Sequence, residues 1–158
     1  MNVLLAFILF FNNIVSYKIA EGKVISVADG DTITILTSTN EQIKIRLHGI
    51  DCPEKKQPFG MAAKKFTSDL VFGKKVRVKI TDTDRYGRSV GFVYLNDKEI
   101  LNENILAAGY AWHYKKYDQN AAWEKLENEA RSKKIGLWSQ PDAIEPWKWR
   151  KLKQVKVK

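Results

Sequence analysis

The chain has 158 residues, a formal net charge of +9 and a pI of about 9.6. Its length suits one domain with one core, and 44% apolar against 28% charged residues excludes overall disorder. A single cysteine, Cys52, excludes an intramolecular disulfide and any zinc-finger spacing; the positive charge points to polyanions (nucleic acid or an anionic membrane) or to a merely Lys-rich solubilising surface.

Residues 3–11 (VLLAFILFF) form an unbroken apolar run, interrupted by Asn12 and Asn13 before Ile14 and Val15. The run is short against the roughly 20 apolar residues of a spanning helix. It fits the apolar region of an export signal, although no Lys or Arg precedes it and no A-x-A site follows. Residues 1–17 are therefore expected to be a signal peptide, with cleavage near Ser16 or Tyr17, or an uncleaved N-terminal anchor; a first core strand is the alternative. The protein is expected to be exported: secreted, periplasmic or anchored.

From Lys18 the pattern changes. Residues 18–27 and 32–36 are rich in β-branched residues and flank an Asp29-Gly30 turn signal. Residues 42–48 alternate, with Ile43, Ile45 and Leu47 on one face and Lys44, Arg46 and His48 on the other. These make a predicted three-stranded meander. Residues 49–60, with two prolines and two glycines, predict a loop. A helix is predicted over 61–72 with Met61, Ala62, Phe66 and Leu70 on its apolar face. Strands follow at 75–80 and 89–94. A second helix is predicted over 101–108, stopped by Gly109. The third is capped by Asn120, ends near Lys134 before Gly136, and turns Trp123, Leu126 and Ala130 to the core.

The order is three strands, a helix, two strands and two helices. It predicts an α+β fold, a five-stranded Greek-key barrel of the oligonucleotide/oligosaccharide-binding type with three helices, spanning residues 18–140. Residues 141–158 are expected to form a basic tail, in which interleaved Trp and Lys/Arg could track a nucleic-acid backbone or touch anionic membrane or wall polymer; the plain alternative is a frayed terminus. Trp112 and Trp123 are expected in the core, as is Trp138. His48 and His113 are expected at the surface or behind the site residues.

Three segments place charged groups where folding alone does not need them. Asp29-Gly30-Asp31-Thr32 sets two carboxylates about a glycine, suited to a hard cation or to an ordinary hairpin turn. Arg46-Leu47-His48-Gly49-Ile50-Asp51-Cys52-Pro53-Glu54 puts a carboxylate pair just past a strand end. There one acid can hold a metal while the other positions or deprotonates water. Thr83-Asp84-Arg85-Tyr86-Gly87-Arg88 offers a phosphate-gripping guanidinium and a stacking ring, or a plain basic hairpin tip. Together they make a set for metal-assisted phosphodiester hydrolysis.

In this order and spacing the motifs D-G-D-T, R-L-x-G-I-D-x-P-E and D-x-Y-G-R resemble the staphylococcal thermonuclease family over about residues 20–140. The resemblance implies a calcium-dependent endonuclease acting on DNA and RNA with little base specificity, leaving 3′-phosphorylated products. It implies Asp31 and Asp51 as calcium carboxylates, Cys52 (where the family has a threonine) as a backbone-carbonyl ligand, and Thr32 as a neighbour of the metal's water shell. Glu54 would be the base or water-positioning group, and Arg46 and Arg88 the phosphate clamps. Arg85, Tyr86, Tyr114 and Tyr117 would border the nucleotide. The competing reading is a barrel that binds single strands without cutting them. Nothing in the sequence marks an interface, so a monomer is expected.

Overall fold

The computed structural model describes residues 17–155, with side chains through Lys153. Apart from Tyr17, the expected signal or anchor lies outside the described residues.

Strand β1 (Lys18–Asp29) is long enough to serve two partners. Its first half pairs antiparallel with β5 (Lys75–Thr83), and from Lys23 onward it pairs with β2 (Thr32–Leu36). Bulges at Val24/Ser26 and Val27/Asp29 bend it between them. Gly22 sits at the crossing, where a Cβ would come within 2.6 Å of the Leu36 carbonyl oxygen. β3 (Gln42–Leu47) continues the meander, and β6 (Ser89–Tyr94) pairs antiparallel with β5 and parallel with β3. The parallel contact closes a five-stranded barrel in the order β1-β2-β3-β6-β5. Two-residue strands β4 (Ile50–Asp51) and β7 (Trp112–His113) form a separate small ladder.

The barrel is filled by Val24, Ile33, Ile35, Ile45, Val78 and Val93, and Leu101, Ile105 and Leu106 of α2 (Leu101–Ala107) join the same core. Helix α1 (Gly60–Val71) packs on β1 and α2, and α3 (Ala121–Ser132) on α2. The Asn120 side chain caps α3 by accepting from the Ala122 N–H at 2.9 Å. A second cluster gathers Trp112, Ala130, Leu137 and Trp138, with the Arg131 guanidinium 3.9 Å over the Trp138 ring.

The barrel and the first three helices follow the sequence expectation, with four corrections. The buried face of α1 is Gly60, Ala63, Thr67 and Val71; Phe66 and Leu70 are half-buried and Met61 is exposed. This helix approaches backbone closely, and small residues permit that: Thr67 Oγ1 donates to the Gly30 carbonyl at 2.6 Å. His113 is buried, with Nε2 2.8 Å from Asp118 Oδ1. A fourth helix, α4 (Pro146–Val155), lies in the segment expected to be a tail. That helix is docked rather than frayed: Trp147 packs at 5.9 Å on Trp112 and stacks at 4.8 Å on Tyr114.

Candidate functional site

Sheet register brings the three charged segments together. Thr32 pairs with Arg46 across β2–β3, and Arg46 pairs with Val90 across the parallel β3–β6 contact that closes the barrel. The β1–β2 turn, the β3–β4 segment and the β5–β6 hairpin therefore end side by side.

Arg46 is the hub. Its Nη1 lies 3.1 Å from Asp31 Oδ2, and its Nη2 donates to Asp51 Oδ1 at 2.8 Å. Nη1 also donates to the carbonyls of Ile50 (2.9 Å) and Leu47 (3.2 Å), which locks the guanidinium plane. Burial by itself would lower the Arg46 pKa; Asp31 and Asp51 outweigh it and raise it. Asp31 Oδ2 accepts from the Cys52 N–H at 2.6 Å, and Oδ1 from Thr32 Oγ1 at 3.2 Å. Both aspartates are buried. Crowding shows in the titration of Asp51 and of Asp29. Asp51 is raised to about 6, first by burial and then by Asp31, and Asp29 to about 7 by burial and by Asp31. The Cys52 thiol is buried and pushed up, chiefly by burial.

Glu54 sits at the rim on a tight loop, with its N–H on Gln57 Oε1 at 3.1 Å and its carbonyl accepting from the Gln57 N–H at 2.7 Å. Arg88 is aimed by Asp84, whose carboxylate accepts from Arg88 Nε at 2.6 Å and from the Arg88 and Tyr86 backbone N–H groups. These bonds lower the Asp84 pKa against the opposing effect of burial. Arg88 Nη1 reaches Thr32 Oγ1 at 3.4 Å, linking the third segment to the first.

The outer residues are less converged. Tyr86 is exposed at the hairpin tip and accepts from Arg85 Nη2 at 2.7 Å. Tyr117 is exposed and edge-on to Tyr114, whose face is covered by Trp147. Trp112, Trp123 and Trp138 are core residues. His48 lies behind the site, its Nε2 3.4 Å from Asp118 and its ring against Phe92.

One residue at the site was not singled out by sequence. Arg150 of α4 donates from Nη2 to Asp51 Oδ2 (2.7 Å) and from Nη1 to Glu54 Oε1 (2.7 Å) and Asp51 Oδ1 (3.3 Å). The available signal was its spacing from Trp147, three residues away on one helical face.

Among the described residues no three His, Cys, Asp or Glu are gathered as a metal cluster. The donor chemistry nonetheless fits a hard divalent cation. Asp31 and Asp51 lie within the span of one guanidinium, and a third acid, Asp29, crowds Asp31.

The sequence model of the family described as staphylococcal nuclease homologue matches residues 44–140, more than half of the chain. The chain belongs to the staphylococcal nuclease family. It is 44% identical over 132 residues to an Escherichia coli O157:H7 protein called an uncharacterized endonuclease, covering 84% of this chain and 86% of that one. A Haemophilus influenzae protein of the same description is 41% identical over 135 residues, covering 85% and 75%. A Shigella flexneri protein called micrococcal nuclease is 40% identical over 140 residues, covering 82% and 80%.

Proposed function

We propose that this protein is a calcium-dependent endonuclease that hydrolyses phosphodiester bonds of DNA and RNA to 3′-phosphorylated fragments. The observation that carries this reading is the Arg46 guanidinium held between Asp31 and Asp51, with Arg88 reaching the neighbouring Thr32. The relatives named as nucleases and the +9 charge support it.

In this reading Asp31, Asp51 and the Cys52 carbonyl hold the ion, and Thr32 faces its water shell. Bound there, calcium supplies Lewis-acid charge at a phosphoryl oxygen. Arg46 and Arg88 present guanidinium forks to the phosphoryl oxygens and offset the charge that grows as water attacks phosphorus. Glu54 accepts the water proton as the new P–O bond forms. The P–O5′ bond breaks with its electron pair on the 5′ oxygen, which takes a proton from solvent, and phosphate remains on the 3′ side. Arg85 and Tyr86 on one side, and Tyr114 and Tyr117 on the other, border the nucleotide. The apolar run at residues 3–11 supports export.

The test is cleavage of DNA and RNA by the purified chain with calcium, with chelator, and as Glu54→Gln. Cleavage is expected only with calcium, falling about 10²–10⁴-fold in the variant, with product ends that need a phosphatase before polymerase extension. Equal cleavage in chelator sinks the calcium requirement. Nucleic-acid binding without any cleavage points to a non-cutting barrel.

A further inference from the structure

Asp51 is held by guanidinium groups on both oxygens: Oδ1 by Arg46 at 2.8 Å and Arg150 at 3.3 Å, Oδ2 by Arg150 at 2.7 Å. Arg150 also takes Glu54 Oε1 at 2.7 Å. The same side chain thus engages a carboxylate assigned to the ion and the carboxylate assigned to the water.

The two arginines differ in how firmly they are held. Arg46 is 15% exposed, belongs to a central strand and is tied to two backbone carbonyls. Arg150 is 42% exposed and stands on a terminal helix whose neighbours Lys151, Leu152 and Lys153 are exposed. Its placement is nevertheless specific. Trp147 stacks at 4.8 Å and 5° on Tyr114, the Ile144 carbonyl accepts from Gln57 Nε2 at 2.6 Å, and Arg150 lies three residues on from Trp147 along the same face. Gln57 in turn accepts from the Glu54 N–H, so the loop bearing Glu54 and the segment leading into α4 are braced on one residue.

An ion that takes Asp51 Oδ2 needs the space in which Arg150 Nη2 now stands, and of the two guanidiniums Arg150 is the one free to leave. We infer that Arg150 is an internal counter-cation of the site, which pairs Asp51 with Glu54 when no divalent ion is bound and is displaced when one binds. Loading the ion and freeing Glu54 are then one event, so the base becomes available only in a charged site. The inference rests on the calcium reading above. It adds a competitor supplied by the chain's own C-terminal helix.

Competition of this kind weakens apparent metal affinity by the fraction of molecules in which the acids are free. The test is calorimetric titration of the full-length chain with Ca²⁺ in moderate salt, comparing wild type, Arg150→Gln and Lys151→Gln, each checked for folding by circular dichroism. Lys151→Gln removes the same charge from the same helix at an exposed position. Arg150→Gln is expected to lower the Ca²⁺ dissociation constant by roughly three- to tenfold, a partly exposed bidentate pair being lost, and Lys151→Gln to leave it within about twofold. Unchanged or weaker binding by Arg150→Gln, or equal tightening by Lys151→Gln, overturns the inference while leaving the calcium reading intact if wild type binds. Absence of Ca²⁺ binding by every form overturns both.

Discussion

Gly60 shows how one residue can set the position of a charged group at a distance. A Cβ there would collide with the Glu54 carbonyl oxygen and stand 2.7 Å from the Glu54 carbonyl carbon. The first turn of α1 can therefore lie against the Glu54 loop only if this residue has no side chain. Gly60→Ala is expected to push that loop outward, costing about 1–3 kcal/mol of stability as overpacking does, and to lower nuclease activity alongside. Urea unfolding and a cleavage assay on the same preparation check this; unchanged values in both would show that the loop yields without loss. At this scale much of the site was legible. Charged segments at turns and strand ends, where the core has no use for them, marked the neighbourhood, and the family resemblance picked Asp31, Arg46, Asp51, Glu54 and Arg88 within it. Asp84 stands in the third motif, but that it holds Arg88 at 2.6 Å depends on how the β5–β6 hairpin folds.

Helix α2 begins without a side-chain cap at Ile100, and the polar residue in its first turn faces inward instead. Asn102 Oδ1 accepts from the Val93 N–H at 3.2 Å, and its Nδ2 donates to the carbonyls of His48 (2.9 Å) and Gly91 (3.4 Å). One fully buried amide thereby ties the helix to β6 and to the chain just past β3, the strand that carries Arg46. Asn102→Ala takes this partner from the Val93 N–H and the His48 carbonyl, while the Gly91 carbonyl keeps the His48 N–H at 2.9 Å; it is expected to cost about 2–3 kcal/mol, read as a lowered urea midpoint with an unchanged slope. A loss under about 0.5 kcal/mol would show that water replaces the amide. Periodicity gave the existence and approximate limits of α1, α2 and α3. It misassigned the face of α1 because the helix packs by close backbone approach, which favours Gly, Ala and Thr over large apolar residues. It gave no helix at residues 146–155, where Trp147, Trp149 and Leu152 are scattered among basic residues; that helix is held by Trp147, which stacks on Tyr114 and meets Trp112 edge-on.

Over the whole molecule, charge couples stability to pH. Asp29 and Asp51 have folded pKa values of about 7 and about 6 against an ordinary 3.8. Between pH 4 and 7 the folded chain keeps protons that the unfolded chain has released. Their contribution favours folding at low pH and is lost as pH rises through the raised values. A cation held by Asp51 needs that carboxylate ionised, so calcium should stabilise most where the apo protein has lost most. Scanning calorimetry should show a calcium-induced rise in Tm that is small at pH 5 and grows to several degrees by pH 8. An upshift independent of pH would mean that Asp51 is not a ligand of the ion.

The sequence by itself determined the strand order, the first three helices, the net positive charge and the residue types at the centre, because alternation, turn chemistry and charged loop clusters are local properties of the chain. Only the tertiary structure decided that Thr32, Arg46 and Val90 share one register row, that Arg46 spans Asp31 and Asp51, and that Arg150 comes back from the far end of the chain to hold Asp51 and Glu54. Those facts depend on closing the barrel and docking a helix by its aromatic rings. Both are contacts between segments far apart in sequence, and no local pattern encodes their distance.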